Sequence, residues 1–317
     1  MSRPAWLAVD VGQSGVRYRF EGARVAGTLP AGHRSGDAAR TTIRHVLDAI
    51  ATRQGQGLSP HRLAIGLTGC FGVAPDAAEA LNELPGGWAV AELVLADDSV
   101  TAFLGALEGR PGVVVAAGTG VVGLAVGHDG MPHRVGGNGP FVGDLGAGCW
   151  IGREGLGSVL AVQDGMGPGT LLLDLARDEF GAIEAIPSVV AAAGNPVRLV
   201  ASFSRSVARA AGQGDPVASR IMRDAGRHLG ELAVAAARRL PPADTGPLLH
   251  CLTGKVRKAG DPLLRGYDEA VSLAFPVSRS IAPAHDPLHG AALLARGETT
   301  LAAGRLVSMA RTSREVR

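Results

Sequence analysis

The chain has 317 residues, of which 46% are apolar and 19% charged, a balance that excludes a disordered chain and leaves room for two domains. Thirty-one basic residues against 29 acidic ones give a formal charge of +2, and aromatics are only 4%, so neither a basic nucleic-acid surface nor a base-stacking platform is indicated.

The first predicted element is the apolar run Trp6 to Asp10, which ends on an acid and enters Val11-Gly12-Gln13-Ser14-Gly15. Val16 to Phe20 alternates after it, so the pattern reads strand, glycine turn, strand. Residues 37–53 carry Ile43, Val46, Leu47 and Ile50 at helical spacing. Leu63 to Leu67 and Leu93 to Ala96 are short apolar strands. The second ends in Asp97-Asp98, and Val100, Phe103, Leu104 and Leu107 mark a helix behind it. Val113 to Ala116, the turn Ala117-Gly118-Thr119-Gly120 and Val121 to Val126 repeat the strand–turn–strand design about 105 residues later, a weak internal duplication. Residues 136–157 are dense in glycine, and 158–240 read as mostly helical, with Leu229, Leu232, Ala233, Ala236 and Leu240 in one stripe before Pro241-Pro242. Leu248 to Thr253 is a late strand entering Gly254-Lys255-Val256, a last helix begins near Pro287, and the charged tail after Met309 is expected to fray. Alternating strands and helices predict an α/β fold with two sheets and two similar domains.

Cys70, Cys149 and Cys251 lie far apart with no CxxC pair, which argues against a zinc ribbon, a redox motif or a disulfide framework and fits a reducing cytoplasm. The N-terminus reaches Asp10 without a signal-peptide core. The longest uncharged stretch, 111–128, is broken by Gly118-Thr119-Gly120, so no membrane span is expected.

Both glycine turns place a hydroxyl, Ser14 or Thr119, where backbone N–H groups could face an anion; tight hairpins explain such glycines equally well. Neither turn is a Walker loop, since no Lys lies near. Asp10, at a strand end, suits either an outer-sphere Mg2+ partner or a turn cap. Of Asp97 and Asp98, a helix N-cap accounts for one, and a general base for a substrate hydroxyl is the sharper alternative for the other. His285 and His289 are four residues apart, but Pro287 interrupts the helix a ligand pair would need, so surface or packing roles are expected. No G-x-S-x-G elbow occurs.

The order of these pieces resembles the actin-like ATPase and sugar kinase superfamily. Ala-Gly-Thr-Gly (117–120), Gly-Gly-Asn-Gly-Pro (136–140) and Gly-Asp-Leu-Gly-Ala-Gly-Cys-Trp-Ile-Gly-Arg-Glu (143–154) look like its N-acetylglucosamine kinase branch, which also includes ATPase activators of reductases and dehydratases. The resemblance implies two actin-like (ribonuclease H-like) domains with a cleft between them, 1–108 and 109–286, and a closing helix over 287–306 that packs back on the first. It implies an ATP-dependent kinase acting on the primary hydroxyl of N-acetylglucosamine or glucosamine, with ATP and Mg2+. Asp10 would meet the metal through water. Gly12, Gln13, Ser14 and Gly15 would form the first phosphate loop, and Gly118, Thr119 and Gly120 the second. Gly254 and Lys255 would lie in the adenosine-contacting turn 253–256. Asp98 matches the catalytic base, and Gly137, Asn138 and Asp144 match sugar-pocket positions, with His33, Arg34 or Ser35 as first-domain candidates. The implied partner is a small amino sugar, not nucleic acid or a membrane, and a homodimer stays open. Four residues depart from the family pattern: Asn138 stands for Trp, Leu145 for Glu, Gly15 for Lys and Lys255 for Gly. A catalytically weak sugar sensor and a reductase-activating ATPase are the competing readings, though the cysteines lack the paired pattern an iron–sulfur cluster needs.

Overall fold

The computed structural model describes residues 5–12, 15–22, 27–30, 39–54, 59–241, 246–299, 301–302 and 304–312. Gln13, Ser14, His33, Arg34 and Ser35 lie outside the described residues. The chain divides into two compact units, one of Met1–Pro111, Val126–Pro132 and Pro283–Arg317, the other of Gly112–Ala125 and His133–Ala282.

The first unit is built on a six-stranded mixed sheet. Its order is Val307–Arg311, Glu92–Asp97, Arg62–Leu67, Trp6–Gly12, Gly15–Phe20, Gly27–Leu29. Trp6–Gly12 runs antiparallel to Gly15–Phe20 and parallel to Arg62–Leu67, which is parallel to Glu92–Asp97. The parallel strands are buried along nearly their whole length, as strands covered on both faces must be. Gly15–Phe20 alternates between buried and half-buried positions, as its sequence does. The helix Ala39–Gln54 turns Ile43, Val46, Leu47 and Ile50 into this core. At the sheet edge Glu92 pairs with Arg62 and with Arg311 (2.9 Å). The residues expected to fray after Met309 therefore begin inside a strand, because Val307–Arg311 pairs antiparallel with Glu92–Asp97.

The closing helix is Pro287–Arg296 and ends well short of 306. Gly297 takes a left-handed C-cap conformation (φ 73°) and stops it. It packs against the helix Asp98–Leu107 at backbone distance. A Cβ on Gly290 would strike the Thr101 carbonyl, and one on Gly105 would strike the Asp286 carbonyl. The Ala284 and His285 N–H groups donate to Ala106 O (3.1 Å) and Gly105 O (2.8 Å).

In the second unit a five-stranded sheet has the order Ser278–Ser280, Leu248–Thr253, Gly112–Ala117, Val121–Val126, Pro132–Gly136. Leu248–Thr253 and Gly112–Ala117 are parallel, with Ala116 opposite Thr253. The predicted helical region contains six helices from Gly148–Gln163 to Pro216–Ala237. The longest, Pro216–Ala237, buries Leu229, Ala233 and Ala236 and meets Asp261–Ala274 through Gly226, Gly230 and Gly266, whose missing side chains leave room for facing backbone. No helix among the described residues is long and apolar enough to cross a membrane.

The Gly290 contact is testable. In a helix, Gly→Ala ordinarily gains about 0.5–1 kcal/mol, but a side chain forced into packed backbone costs about 1–3 kcal/mol. Gly290→Ala should therefore lower the melting temperature measured by circular dichroism. A neutral or raised value would refute the close helix approach.

Candidate active site

Two acids end the strand Glu92–Asp97, and the structure divides their tasks. Asp97, 1% exposed, is the N-cap: its carboxylate accepts from Ser99 N (3.1 Å) and from the Ser99 hydroxyl, and Gly72 N donates to it at 3.2 Å. Asp98 opens the helix at its first turn and is half-buried. Capping thus accounts for Asp97 and leaves the position of Asp98 to be explained otherwise.

Asp10 lies at the same carboxyl edge, since Val11 is opposite Leu67 and Leu67 is opposite Asp97. That edge is where open α/β sheets hold ligands. Burial pushes the Asp10 carboxyl above its ordinary range, with Arg17 opposing the shift. Two nitrogens of Arg17 donate to one Asp10 oxygen, at 2.6 and 3.2 Å, and a third reaches Asp286 at 2.6 Å. Asp286 also caps the closing helix through His289 N (3.1 Å). Gly12 and Gly15 face each other where the Asp10 strand turns back. Arg17 and Asp286 were missed from sequence. The available signals were the alternation of Val16 to Phe20 with two arginines and an Asp-Pro pair at a helix start.

The second unit gathers most of its expected site residues around one turn. Gly118 N donates to Gly120 O (2.8 Å), closing the turn. Behind it, the first N–H groups of helix Gly148–Gln163 donate to Gly118 O (2.8 Å, from Gly148) and Thr119 O (3.0 Å, from Cys149). That helix has no side-chain cap, so the turn caps it. Gly254 (φ 93°) packs on Ala117 so closely that a Cβ would strike its carbonyl. Gly254 and Lys255 therefore lie beside the Gly118–Gly120 turn, held by the Ala116–Thr253 register.

Asp144 joins this turn to the glycine loop. It adopts φ 54°, a region Asp tolerates better than most residues. Its carboxylate accepts N–H bonds from Val121 and Gly139, but burial dominates and raises its pKa. One oxygen sits 2.5 Å from where a Gly120 Cβ would be, and the other is buried with no hydrogen-bond partner. Asn138 is exposed and Gly137 half-buried on the same loop. Arg134, unnoticed in sequence, fills the space a Gly137 side chain would need and donates to Gly136 O at 2.8 Å. Leu145 is 49% exposed.

Two of the three cysteines do not suit cluster ligation, which takes thiolates. Cys149 and Cys251 are buried, and burial raises both thiols, Cys251 to about 11.

These features accompany clear relationships. The chain belongs to the BadF/BadG/BcrA/BcrD ATPase family, whose pattern matches residues 19–295. It is 30% identical over 227 residues to the glucosamine kinase GspK of Vibrio cholerae serotype O1, covering 69% of this chain and 75% of the relative. It is 28% identical over 211 residues to the N-acetylmuramic acid/N-acetylglucosamine kinase of Clostridium acetobutylicum, covering 65% of this chain and 68% of the relative. A crystal structure from Chromobacterium violaceum, assigned as an N-acetylglucosamine kinase, superposes with a TM-score of 0.70 at 28% identity, covering 93% of this chain and 99% of that one. A Streptomyces griseus ROK family glucokinase, solved with glucose and AMPPNP, shares the fold at a TM-score of 0.60 and 17% identity, covering 92% of this chain and 99% of that one. The fold is the mixed α/β fold of the actin-like ATPases.

Gly120→Ala should lower stability by displacing the Asp144 carboxylate and breaking its N–H contacts, a loss of roughly 1–3 kcal/mol. In the double variant with Asp144→Ala the damage should be less than additive, with coupling of at least about 0.5 kcal/mol in a denaturant cycle. Strict additivity would mean that Asp144 does not set the requirement for glycine at 120.

Proposed function

We propose that this chain is an ATP-dependent amino-sugar kinase that transfers the γ-phosphoryl group of Mg·ATP to the primary hydroxyl of glucosamine or N-acetylglucosamine. The observation that carries the reading is the pairing of two glycine turns at the carboxyl ends of parallel strands, Gly118–Gly120 and Gly254–Lys255, in a chain whose relatives are named as kinases of these sugars. Backbone approach without side chains is what a nucleotide phosphate needs.

Phosphoryl transfer depends on positioning and charge compensation more than on covalent help from the protein. In this reading the N–H groups of Thr119 and Gly120 and the Thr119 hydroxyl hold phosphate oxygens, and Gly254 and Lys255 border the adenosine. Gly12, Gln13, Ser14 and Gly15 would form the first phosphate loop. Asp10, with one carboxylate oxygen held by Arg17 at 2.6 Å, would meet the magnesium of the nucleotide through water. Asp98 accepts the proton of the attacking hydroxyl. Gly137, Asn138 and Asp144 bind the sugar. A kinase of this kind works in the cytoplasm, where ATP is available.

The base is tested by Asp98→Asn. Loss of a general base costs ~10²–10⁴-fold in rate, and the phosphate contacts are untouched, so kcat should collapse while ATP affinity by calorimetry stays nearly constant. Activity within threefold of the parent would return Asp98 to a helix-start role. A parent chain that turns over no amino sugar would defeat the kinase reading itself.

Choice of sugar is tested separately. Asn138 offers a donor and an acceptor where the family pattern has a flat apolar indole. A polar wall suits a free amine better than an acetamido methyl, so glucosamine should compete strongly with N-acetylglucosamine. Polar groups left unpaired by the wrong substrate discriminate more than a missing methyl does. In Asn138→Trp the ratio of kcat/KM for the two sugars should move toward N-acetylglucosamine. An unchanged ratio would show that Asn138 does not select the sugar.

A further inference from the structure

A cluster in the first unit, away from the residues assigned above, has metal-binding chemistry. Glu108, His285 and His289 bring one donor atom each to within 4.8 Å of the others. His285 Nε2 is 3.4 Å from a Glu108 carboxylate oxygen. The two imidazoles stack with centroids 3.9 Å apart and planes 23° apart. Pro287 begins the helix after His285, so the two are not an i, i+4 pair on one helix, and the packing they make is a ring stack. His285 precedes the cap residue Asp286, His289 sits in the first turn, and the chain's entry into the helix lays one ring over the other.

Three further facts bear on what this cluster can hold. Glu108 terminates helix Asp98–Leu107 in a left-handed conformation (φ 55°), a position where glycine is the usual residue. A carboxylate stands there although the backbone conformation is an uncommon one for a residue with a side chain. His289 is half-buried while Glu108 and His285 are exposed, and Arg19 and Arg296 lie close enough to act on its charge. Arg19 and Arg296 also oppose a cation, and Glu108 is the anionic ligand that offsets them.

We infer that Glu108, His285 and His289 form a binding site for a borderline divalent metal ion of the Zn2+ type. Two imidazoles and one carboxylate match the preferences of Zn2+, whereas Mg2+ favours oxygen ligands alone. Tetrahedral bonds of ~2.0–2.1 Å place donor atoms about 3.3 Å apart, so the two stacked rings must splay by side-chain rotation to bring a nitrogen of each to one ion. The fourth position falls to water. Bound metal would tie the end of the Asp98 helix to the start of the closing helix, where Asp286 reaches Arg17 and through it Asp10. The inference rests on this cluster alone and stands whether or not the chain phosphorylates a sugar.

The full-length protein, stripped with a chelator and dialysed, is titrated with Co2+ while visible d–d absorption is followed, and with Zn2+ while melting temperature is followed. One equivalent of Co2+ should give the intense bands of a four-coordinate site. Zn2+ should raise the melting temperature by several degrees, and Mg2+ at the same concentration should not. His285→Ala, His289→Ala and Glu108→Gln should each weaken binding roughly tenfold or more. Glu108→Gln keeps the side-chain size, so its result stands even if a histidine variant folds poorly. Absence of cobalt bands, or unchanged affinity in Glu108→Gln and His289→Ala, would overturn the assignment. An equal response to Mg2+ would do the same.

Discussion

The backbone of residues 117–120 is closely approached from several sides, and the arrangement around it depends on side chains that are missing. Gly254 lies against the Ala117 peptide and Gly148 against the Gly118 carbonyl, while Gly120 leaves its Cβ space to Asp144. Any larger residue at these positions would push a strand end, a helix start or a carboxylate away from the turn. A strand end near 254 and the loop and helix start of 144–148 thus meet at the 117–120 turn. Their alignment is set by the parallel register of Leu248–Thr253 with Gly112–Ala117. Interiors are packed too densely to absorb such an intrusion without displacement.

The first unit adds charge to close backbone packing. Asp10 is buried at the centre of its sheet, where an unpaired carboxylate would be expensive, and Arg17 makes the position tenable. Arg17 sits on the neighbouring antiparallel strand, directly opposite Asp10. Its third nitrogen carries the link to Asp286 and so to the closing helix, some 270 residues later in the chain. The closing helix is consequently tied to helix Asp98–Leu107 by backbone packing and, through Arg17, to Asp10 of the first strand by charge.

Much of this was legible in sequence where side-chain periodicity and burial coincide. Leu248–Thr253 and Val121–Val126 have the predicted bounds, and the Ile43, Val46, Leu47, Ile50 stripe lies on one buried helix face. Three-residue strands such as Gly27–Leu29 and Ser278–Ser280 are too short to show a period. The edge strand Val307–Arg311 was hidden because its charges read as solvated tail, whereas Arg311 is paired with Glu92. The candidate acids could be named from sequence, but dividing capping from other duties between Asp97 and Asp98 needed the hydrogen bonds of Ser99. The Arg17 bridge and the His285–His289 stack depend on contacts that no local pattern encodes.

The way helix Gly148–Gln163 begins has an electrostatic consequence. Its leading N–H groups are spent on the carbonyls of Gly118 and Thr119, so the helix cannot offer them to an anion itself. Each of those carbonyls belongs to a planar trans peptide whose N–H, on Thr119 or Gly120, points the opposite way. A peptide that accepts a hydrogen bond at its oxygen becomes a stronger donor at its nitrogen. The positive end of the helix is therefore relayed through two peptide groups, and the turn acts as its extended terminus.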